Sequence, residues 1–294
     1  MSRDPQKSAS SGVHCRQIGP SDREALVQLL ARGFPERDTR YWERALDRLY
    51  EHAATHGHPH CGYVLQAGGV LVGALLMIFW RPETEGSATR CNLSSWYVDD
   101  RFRTYASFLV RTATRDKTVT YFNISPEDTT RETVEAQGFT RYCEGLFLGL
   151  PLLSWHEGEP AHLTSGEPPP EVHVDPVDAK LMRGHASFDC IKAWCVTGER
   201  AYPFIFMKTK RVRNLLPTAH VVYCDSPEMV SRFAGPIGRF LAKQGIFALT
   251  IDANGPPKRM FGWYLHNRMP KYFKGPRSPR LGDLAFTELT MFGF

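Results

Sequence analysis

A predicted strand over residues 92–98 leads into a short polar segment that carries positive charge. Aromatic, β-branched and hydroxyl residues fill the strand without a breaker. Asp99 and Asp100 end it, and residues 101–110 then change from a polar turn containing Arg103 into a predicted helix. The first turn of a helix offers unpaired N–H groups and the positive end of a dipole, and both favour phosphate. The segment therefore predicts a site for a phosphate or pyrophosphate group.

The C-terminal region holds two carboxylates on a predicted apolar strand, residues 284–292. Asp283 and Glu288 are five positions apart, so on a regular strand they face opposite sides. If Glu288 faces the interior, burial raises the pKa of its carboxyl and suits it to accept a proton from an ammonium group. The alternative is a surface carboxylate paired with Arg277 or Arg280.

Two further groups bear on this chemistry. The chain-terminal carboxylate of Phe294 follows the predicted strand closely and is a second candidate base. Cys91 stands at the start of the strand over 92–98, but no histidine is placed in the sequence to activate its thiol. A covalent intermediate on Cys91 is therefore not expected.

Four histidines crowd the end of a predicted helix and the turn after it: His52, His56, His58 and His60. Imidazole is a common metal ligand, so a metal site is one interpretation. No carboxylate completes a familiar pattern of ligands, and the only nearby thiol is Cys61. The sequence favours a solvated loop, and we predict no metal site.

Strands and helices alternate in a regular order through the chain. Residues 13–150 predict strand, helix, helix, three strands, helix, strand, helix and strand, at 13–18, 22–33, 39–54, 62–67, 70–80, 92–98, 101–110, 118–124, 127–137 and 141–150. Residues 172–292 predict a reduced version of this order, with strands at 172–174, 190–196, 202–210, 219–224, 247–252 and 284–292 and helices at 176–188, 227–244 and 261–267. The sequence thus predicts an α/β fold with a mixed sheet, built from two similar halves.

The domain boundaries follow from composition. Residues 1–12 are polar and predict a disordered N-terminus, and residues 154–171, rich in Pro, Gly, Glu and Ser, predict a linker. A first domain would then occupy residues 13–153 and a second, reduced domain residues 172–294.

The segment around residues 97–139 resembles the cofactor-binding core of GCN5-related N-acetyltransferases. That family reads roughly L-x-V-x-P-x-x-R-G-x-G-x-G/A, followed by a strand and a helix that ends in Gly-Phe. The matching residues are Tyr97, Val98, Asp99, Arg103, Gly138 and Phe139, with Thr104, Ala106 and Phe108 at the three small-residue positions. Val134 stands where the family often has a tyrosine acid. The order of the elements over residues 13–150 is also that of this family.

The resemblance implies two tandem acetyltransferase-type domains and an acyl-CoA-dependent N- or O-acyltransferase. The first half would bind acetyl-CoA or a longer acyl-CoA, with the pantetheine along Trp96, Tyr97 and Val98 and the pyrophosphate on Arg103, Thr104, Tyr105, Ala106 and Ser107. The thioester would lie near Ser95, Asn123 and Ser125. A small-molecule or peptide amine or hydroxyl would attack it directly, in a pocket shaped by residues 271–288.

Other interpretations stay open. Residues 232–238 hold a looser version of the same loop, with Gly235 and Gly238, although helix packing explains these glycines equally well. A non-catalytic binding module would keep the fold and lose the cofactor. Tandem acetyltransferase folds also resemble aminoacyl-tRNA-dependent transferases, in which case residues 208–213 would contact RNA phosphates.

Composition limits the function classes. The formal charge of +5, from 36 basic and 31 acidic residues, is mild, and the absence of a long basic run argues against DNA as a partner. An odd count of seven cysteines without a C-x-x-C pair predicts buried free thiols and a reducing compartment. No signal peptide is evident, and the longest apolar run, residues 70–80, is shorter than the ~20 residues that a membrane span needs. We therefore expect a soluble, cytoplasmic protein.

Overall fold

The computed structural model describes residues 12–58, 60–81, 88–154, 160–211 and 216–293. These residues form a mixed α/β structure, as the sequence predicts. The chain divides into two compact units: Met1–Met77 with Leu93–Asp116, and Ile78–Asn92 with Lys117–Phe294.

The first unit is built on strands that are neighbours in chain order, with helices from the intervening segments. Its elements are β1 (His14–Gln17), α1 (Arg23–Gly33), α2 (Thr39–Thr55), β2 (Gly62–Ala67), most of β3 (Val70–Trp80), the second part of β4 (Arg90–Val98) and α3 (Ala106–Ala113). Gly68 and Gly69 both adopt positive φ, which gives the tight hairpin turn between β2 and β3 that the sequence predicts. The helices bury leucine-rich faces, including Leu29, Leu30 and Leu46.

The second unit contains the remaining elements. They are β5 (Thr120–Asn123), α4 (Arg131–Ala136), β6 (Thr140–Gly149), β7 (Ala161–Thr164), α5 (Pro176–Gly184), β8 (Cys190–Thr197), β9 (Arg200–Arg211), β10 (Leu216–Tyr223), α6 (Pro227–Arg232), α7 (Ala234–Ala242), β11 (Ala248–Ala253), β12 (Gly262–Lys274) and α8 (Glu288–Met291). The strands are ordered β5-β12-β6-β11-β10-β9-β8-β7, and the first residues of β4 pair with β5.

Strand alternation gives the sheet of the second unit two buried faces. In β9, Phe204 and Phe206 pack against α7 on one side. The alternate residues, Ile205 and Met207, face a second cluster that includes α5 and the segment after β12. A sheet covered on both faces needs apolar residues on both sides of each strand, which explains the unbroken apolar run at residues 201–207 of β9.

A parallel strand pair occurs in each half of the sequence. β4 pairs in parallel with β5 through Arg90–Asn92 and Thr120–Phe122, and α3 lies between these strands in the sequence. β10 pairs in parallel with β11, and α6 and α7 lie between them. This repeated strand–helix–strand crossover supports the prediction of two similar halves.

The two halves exchange strands. β12, from the second half of the sequence, lies between β5 and β6 of the first half and pairs antiparallel with both. On its other side, β6 pairs antiparallel with β11. The predicted helix over residues 261–267 is therefore wrong: the aromatic and apolar residues there, including Trp263 and Leu265, form part of this long strand, because tertiary pairing overrides a weak local preference.

The predicted strand over residues 284–292 is also wrong. An isolated antiparallel bridge joins Asp283, just before this segment, to Tyr223, and no strand is formed by the described residues 284–293. Phe286 adopts a positive φ of 52°, which interrupts extended backbone, and Glu288 begins the short helix α8. Residues 154–171, predicted as a linker, contain β7, which pairs antiparallel with β8.

Candidate active site

Glu288, a predicted catalytic residue, has two hydrogen bonds in the second unit. Its backbone N–H donates a 2.8 Å hydrogen bond to Oδ1 of Asn92, which is only 2% exposed. Its Oε1 accepts a hydrogen bond from the hydroxyl of Ser125. Asn92 is the last paired residue of β4 in the β4–β5 ladder, and Ser125 follows β5 directly in the chain. The carboxylate therefore lies where the parallel pairing ends.

A half-buried ion pair fixes the backbone that leads to Glu288. Nη1 of Arg90 lies 2.5 Å from Oδ2 of Asp283, and Nη2 of Arg90 donates to the carbonyl of Asp283 at 3.0 Å. Nε of Arg280 lies 3.7 Å from the same carboxylate. Burial alone would raise the pKa of Asp283, but the two guanidiniums hold that pKa below its ordinary value. Asp283 is thus an anion paired with Arg90 and Arg280. The alternative pairing of Glu288 with Arg277 or Arg280 stays a prediction.

A buried histidine holds the next part of the segment. The backbone N–H of Phe286 donates to Nε2 of His185 at 3.2 Å, while Nδ1 of His185 lies 2.9 Å from the carbonyl of Leu181. The Phe286 ring stacks on Trp80 with centroids 4.0 Å apart. Burial lowers the pKa of His185 to about 4, so its ring is neutral at pH 7 and Nε2 can accept this hydrogen bond.

These contacts bring together two of the residues that the sequence predicts as catalytic, Ser125 and Glu288. Asn123 is half-buried in β5, paired with Tyr272 of β12. Ser95 belongs to the first unit, where it adopts a positive φ of 52° and its hydroxyl lies 3.0 Å from that of Ser94. A positive φ at a non-glycine residue costs energy and interrupts regular strand geometry.

The predicted pantetheine segment continues β4 in the first unit. Trp96 and Tyr97 are half-buried, and Val98 is buried. The ring of Tyr97 lies against Gly33, where an added Cβ would come within 2.4 Å of it, and its hydroxyl donates to Asp99 at 2.9 Å. The Tyr97 side chain therefore serves packing.

The predicted pyrophosphate segment forms a 3₁₀ helix, Asp100–Tyr105, that continues into α3. Arg103 is well exposed and pairs with Asp100 at 2.9 Å. Thr104, Tyr105 and Ser107 are exposed and Ala106 is half-buried. Because the N–H of Ala106 already donates to the carbonyl of Arg103, phosphate binding there would depend on the Arg103 guanidinium and the Ser107 hydroxyl.

Comparison with solved structures shows the same architecture across nearly the whole chain. A conserved protein of unknown function from Enterococcus faecalis, described as a probable N-acyltransferase, aligns with 93% of this chain and 74% of its own at 11% identity and a TM-score of 0.57. A GCN5-related N-acetyltransferase from Anabaena variabilis aligns over 89% and 72% at 9% identity and a TM-score of 0.55. A putative acetyltransferase from Pyrococcus horikoshii aligns over 97% and 96% at 11% identity and a TM-score of 0.53.

The chain has the GCN5-related N-acetyltransferase fold. The similarity is one of structure, since no protein-family model and no curated protein matches the sequence. The GCN5-related fold also covers both halves of the sequence, in agreement with the predicted tandem architecture.

Two further positions bear on the catalytic chemistry, and the residues at both are buried. Val134 is buried in α4, so no acid stands at that position. Cys91 is fully buried, and burial raises the pKa of its thiol well above the ordinary value. A thiol held in its neutral form is a poor nucleophile, which argues against an acyl-enzyme on Cys91.

Two lysines of the predicted acceptor segment, residues 271–288, make contacts within the protein. Lys271 is 0% exposed, and its Nζ lies 2.7 Å from Oδ1 of Asp252. Nζ of Lys274 donates to the carbonyl of Gln137 at 2.7 Å. These two cations therefore contribute contacts within the protein.

The glycines of the second candidate loop support packing rather than phosphate binding. Gly235 and Gly238 are buried in α7, and a Cβ at Gly238 would lie 2.8 Å from the backbone nitrogen of Leu152. Nearby, however, a cavity of about 710 Å³ is lined by Arg232, Lys258 and Arg259, among other residues.

Further predictions concern the cysteines, membrane-spanning helices and residues outside the described part of the chain. All seven cysteines are free, and most are buried, as the sequence predicts. Among the described residues, no helix is long and apolar enough to cross a membrane. Phe294 and residues 212–215 lie outside the described residues, so the predicted terminal base and part of the predicted RNA-binding segment stay predictions.

Sequence reasoning missed Asn92, Arg90 and His185. Their partners lie 196, 193 and 101 positions away in the chain, so no local pattern could reveal them. The available signal was an amide side chain, Asn92, inside a predicted strand, because a buried amide requires hydrogen-bond partners.

Proposed function

We propose that the protein transfers an acyl group from acetyl-CoA or a longer acyl-CoA to an amine or hydroxyl, with a small-molecule or peptide amine as the favoured acceptor. The observation that carries the proposal is the position of Glu288 where the β4–β5 ladder ends, in a chain with an acetyltransferase fold: Asn92 accepts from its backbone N–H and Ser125 donates to its carboxylate.

Glu288 acts as the general base in this proposal. The acceptor amine attacks the thioester carbonyl, so a C–N bond forms and the C–S bond breaks, and CoA leaves as a thiolate that takes up a proton. Glu288 accepts the proton that the amine loses. Ser125 orients the carboxylate through its hydrogen bond, and Asn92 fixes the backbone from which the carboxylate projects. The transfer is direct, without an acyl-enzyme.

In this proposal the cofactor-binding groups come from residues 96–107. Backbone N–H and C=O groups of residues 96–98 would pair with the pantetheine amides in the manner of an added strand. Arg103 and Ser107 would contact the pyrophosphate, and the exposure of both side chains fits that role.

A second location for the anionic cofactor is the cavity beside α6 and the end of β11. Arg232, Lys258 and Arg259 outnumber the one acidic residue of its lining, Glu228, so the lining is positively charged. The cavity follows the parallel β10–β11 pair, as residues 123–125 follow the β4–β5 pair.

A thermal-shift titration with CoA, acetyl-CoA and a long-chain acyl-CoA tests whether the protein binds the cofactor and which of the two locations binds it. Wild type is compared with Arg103→Glu, Arg232→Glu and, as a matched control, Arg40→Glu on the exposed side of α2. A ligand that binds only the folded state stabilises it by ~2.7 kcal/mol at a hundredfold excess over its dissociation constant. We expect a rise in melting temperature that Arg103→Glu abolishes and Arg40→Glu retains.

Loss of the rise in Arg232→Glu alone would move the cofactor to the second half. A rise without acyl transfer to any amine would favour the binding-module interpretation. Absence of any rise would exclude acyl-CoA as donor, and a gel-shift titration with aminoacyl-tRNA would then test the tRNA-dependent alternative.

A further inference from the structure

Three histidine side chains converge at the end of α2 in the first unit. The metal-binding nitrogens of His52, His56 and His58 all lie within 4.8 Å of one another. The ring centroids of His52 and His56 are 4.4 Å apart, and those of His52 and His58 are 5.4 Å apart. The sequence favours a solvated loop here, but His52 is only 6% exposed.

The backbone explains this convergence. His52 and His56 are four positions apart at the end of α2, so their side chains project from the same face of the helix. Gly57 adopts a positive φ of 64°, which reverses the chain. His58 then returns towards α2, where its backbone N–H donates to the carbonyl of Ala53 at 2.8 Å. The three imidazoles are thus preorganised by one helix end.

The orientation of His56 also fits a metal ligand. Its Nδ1 lies 2.9 Å from the backbone carbonyl of His52, a contact in which Nδ1–H donates and Nε2 keeps its lone pair. Histidine ligands in metal sites commonly donate their other ring N–H to a carbonyl or carboxylate, which fixes the tautomer.

We propose that His52, His56 and His58 bind one divalent transition-metal ion, with Zn²⁺ as the expected occupant. Three imidazoles suit Zn²⁺ and disfavour Mg²⁺ and Ca²⁺, which prefer oxygen ligands. A tetrahedral site with Zn–N distances of ~2.0–2.1 Å needs nitrogens about 3.3 Å apart, which small side-chain rotations reach from the observed spacing. Water completes the coordination, and the ion ties the end of α2 to the segment that enters β2.

His60 provides a matched control. It lies two residues beyond His58, is half-buried and packs edge-on against Tyr63 with centroids 5.0 Å apart. Its nitrogens are not part of the cluster within 4.8 Å. Replacing His60 therefore removes a neighbouring imidazole without removing a proposed ligand.

The test uses tag-free full-length protein that has been treated with a chelator. Isothermal titration with ZnCl₂ should show one ion per chain. His56→Gln and His58→Gln should each weaken binding at least as much as the roughly 10–100-fold cost of losing an outer-shell partner, whereas His60→Gln should bind like wild type. Bound Co²⁺ should give a visible ligand-field spectrum that both ligand variants lose. Limited proteolysis of the segment between α2 and β2 should slow when Zn²⁺ is present.

Melting curves without metal establish that the variants fold, and the exposed His56 is the safest replacement. Binding that persists in a His56→Gln/His58→Gln double variant would overturn the proposal. Failure of folded wild type to bind either Zn²⁺ or Co²⁺ would overturn it as well.

Discussion

At the scale of single residues, Glu288 is held through both its backbone and its carboxylate. Its N–H is bonded to a buried amide, while the carboxylate itself contacts a hydroxyl on an exposed residue. A carboxylate held in this way can receive a proton without disturbing the fold.

We predict that Glu288→Gln lowers kcat for acyl transfer by roughly 10²–10⁴-fold, the usual contribution of a general base. The melting temperature should change little, since glutamine keeps the backbone N–H and can accept from Ser125. Steady-state kinetics with acetyl-CoA provide the measurement. Glu132→Gln, at an exposed position of α4, is the control, and equal activity in the two variants would refute the assigned role.

His185 should make stability depend on pH. The folded protein protonates this ring only near pH 4, whereas the unfolded chain does so near pH 6.5. Because the unfolded state binds the proton first as the pH falls, the free energy of unfolding should drop from pH 6.5 to pH 4, by about 3 kcal/mol in total. Urea titrations of wild type and His185→Gln across this range should show a larger drop in wild type, by about that amount, and parallel curves would contradict it.

Candidate site residues could be predicted from the sequence more readily than their hydrogen-bond partners. Ser125 and Glu288 stand out in the sequence as polar groups beside predicted strands, and the structure brings them together. The hydrogen bond between Asn92 and Glu288, by contrast, joins positions 196 apart, and only the completed sheet creates it.

At the scale of elements, a buried ion pair joins two strands that do not neighbour each other. Lys271 lies on β12 and Asp252 on β11, and β6 runs between these strands. The β12 backbone bulges just before Lys271, with positive φ at Asn267 and Met269, and the register against β6 shifts there.

We predict that Lys271→Met destabilises the protein by about 3–5 kcal/mol, because it leaves the Asp252 carboxylate buried without a counter-charge. The double replacement Lys271→Met/Asp252→Leu should recover much of that loss. Arg23→Ala, which breaks an exposed pair with Asp47, should cost at most about 1 kcal/mol. Chemical denaturation measures all three, and a double variant no better than the single one would contradict the explanation.

The positions of strands with a clear hydrophobic pattern could be predicted from the sequence. The conformation of segments that depend on a distant partner could not. β2, β3 and β9 agree with their predicted positions to within a few residues. Residues 262–274 form a strand because β5 and β6 leave a place for it. Residues 284–292 do not form one, because Arg90, His185 and Asn92 hold that segment in an irregular path.

At the scale of the whole molecule, the strand exchange determines how the halves depend on each other. Without β12, the facing edges of β5 and β6 would have no partner, and without β6, β11 would lose one of its two neighbours. The boundaries at residues 153 and 172 remain a prediction from composition, and the exchange means that a cut there would separate paired strands.

We predict that residues 13–153 expressed alone do not fold into a stable monomer, since unpaired strand edges are prone to aggregate. Co-expression of residues 1–157 with residues 158–294 should yield a soluble complex that co-purifies through a tag on either fragment. Circular dichroism and size-exclusion chromatography give the measurement. A monomeric first fragment with a cooperative melt would refute the prediction.

The same exchange has a consequence for biosynthesis. β5 and β6 leave the ribosome long before β12 does, since residue 123 must wait for residue 272 to pair with it. Throughout that interval the edges of β5 and β6 that will pair with β12 are unpaired in the nascent chain. Chaperones or neighbouring polypeptides can bind to these edges. The rate of translation between β6 and β12 therefore becomes a variable in the yield of native protein, and slow codons there would lengthen the exposure.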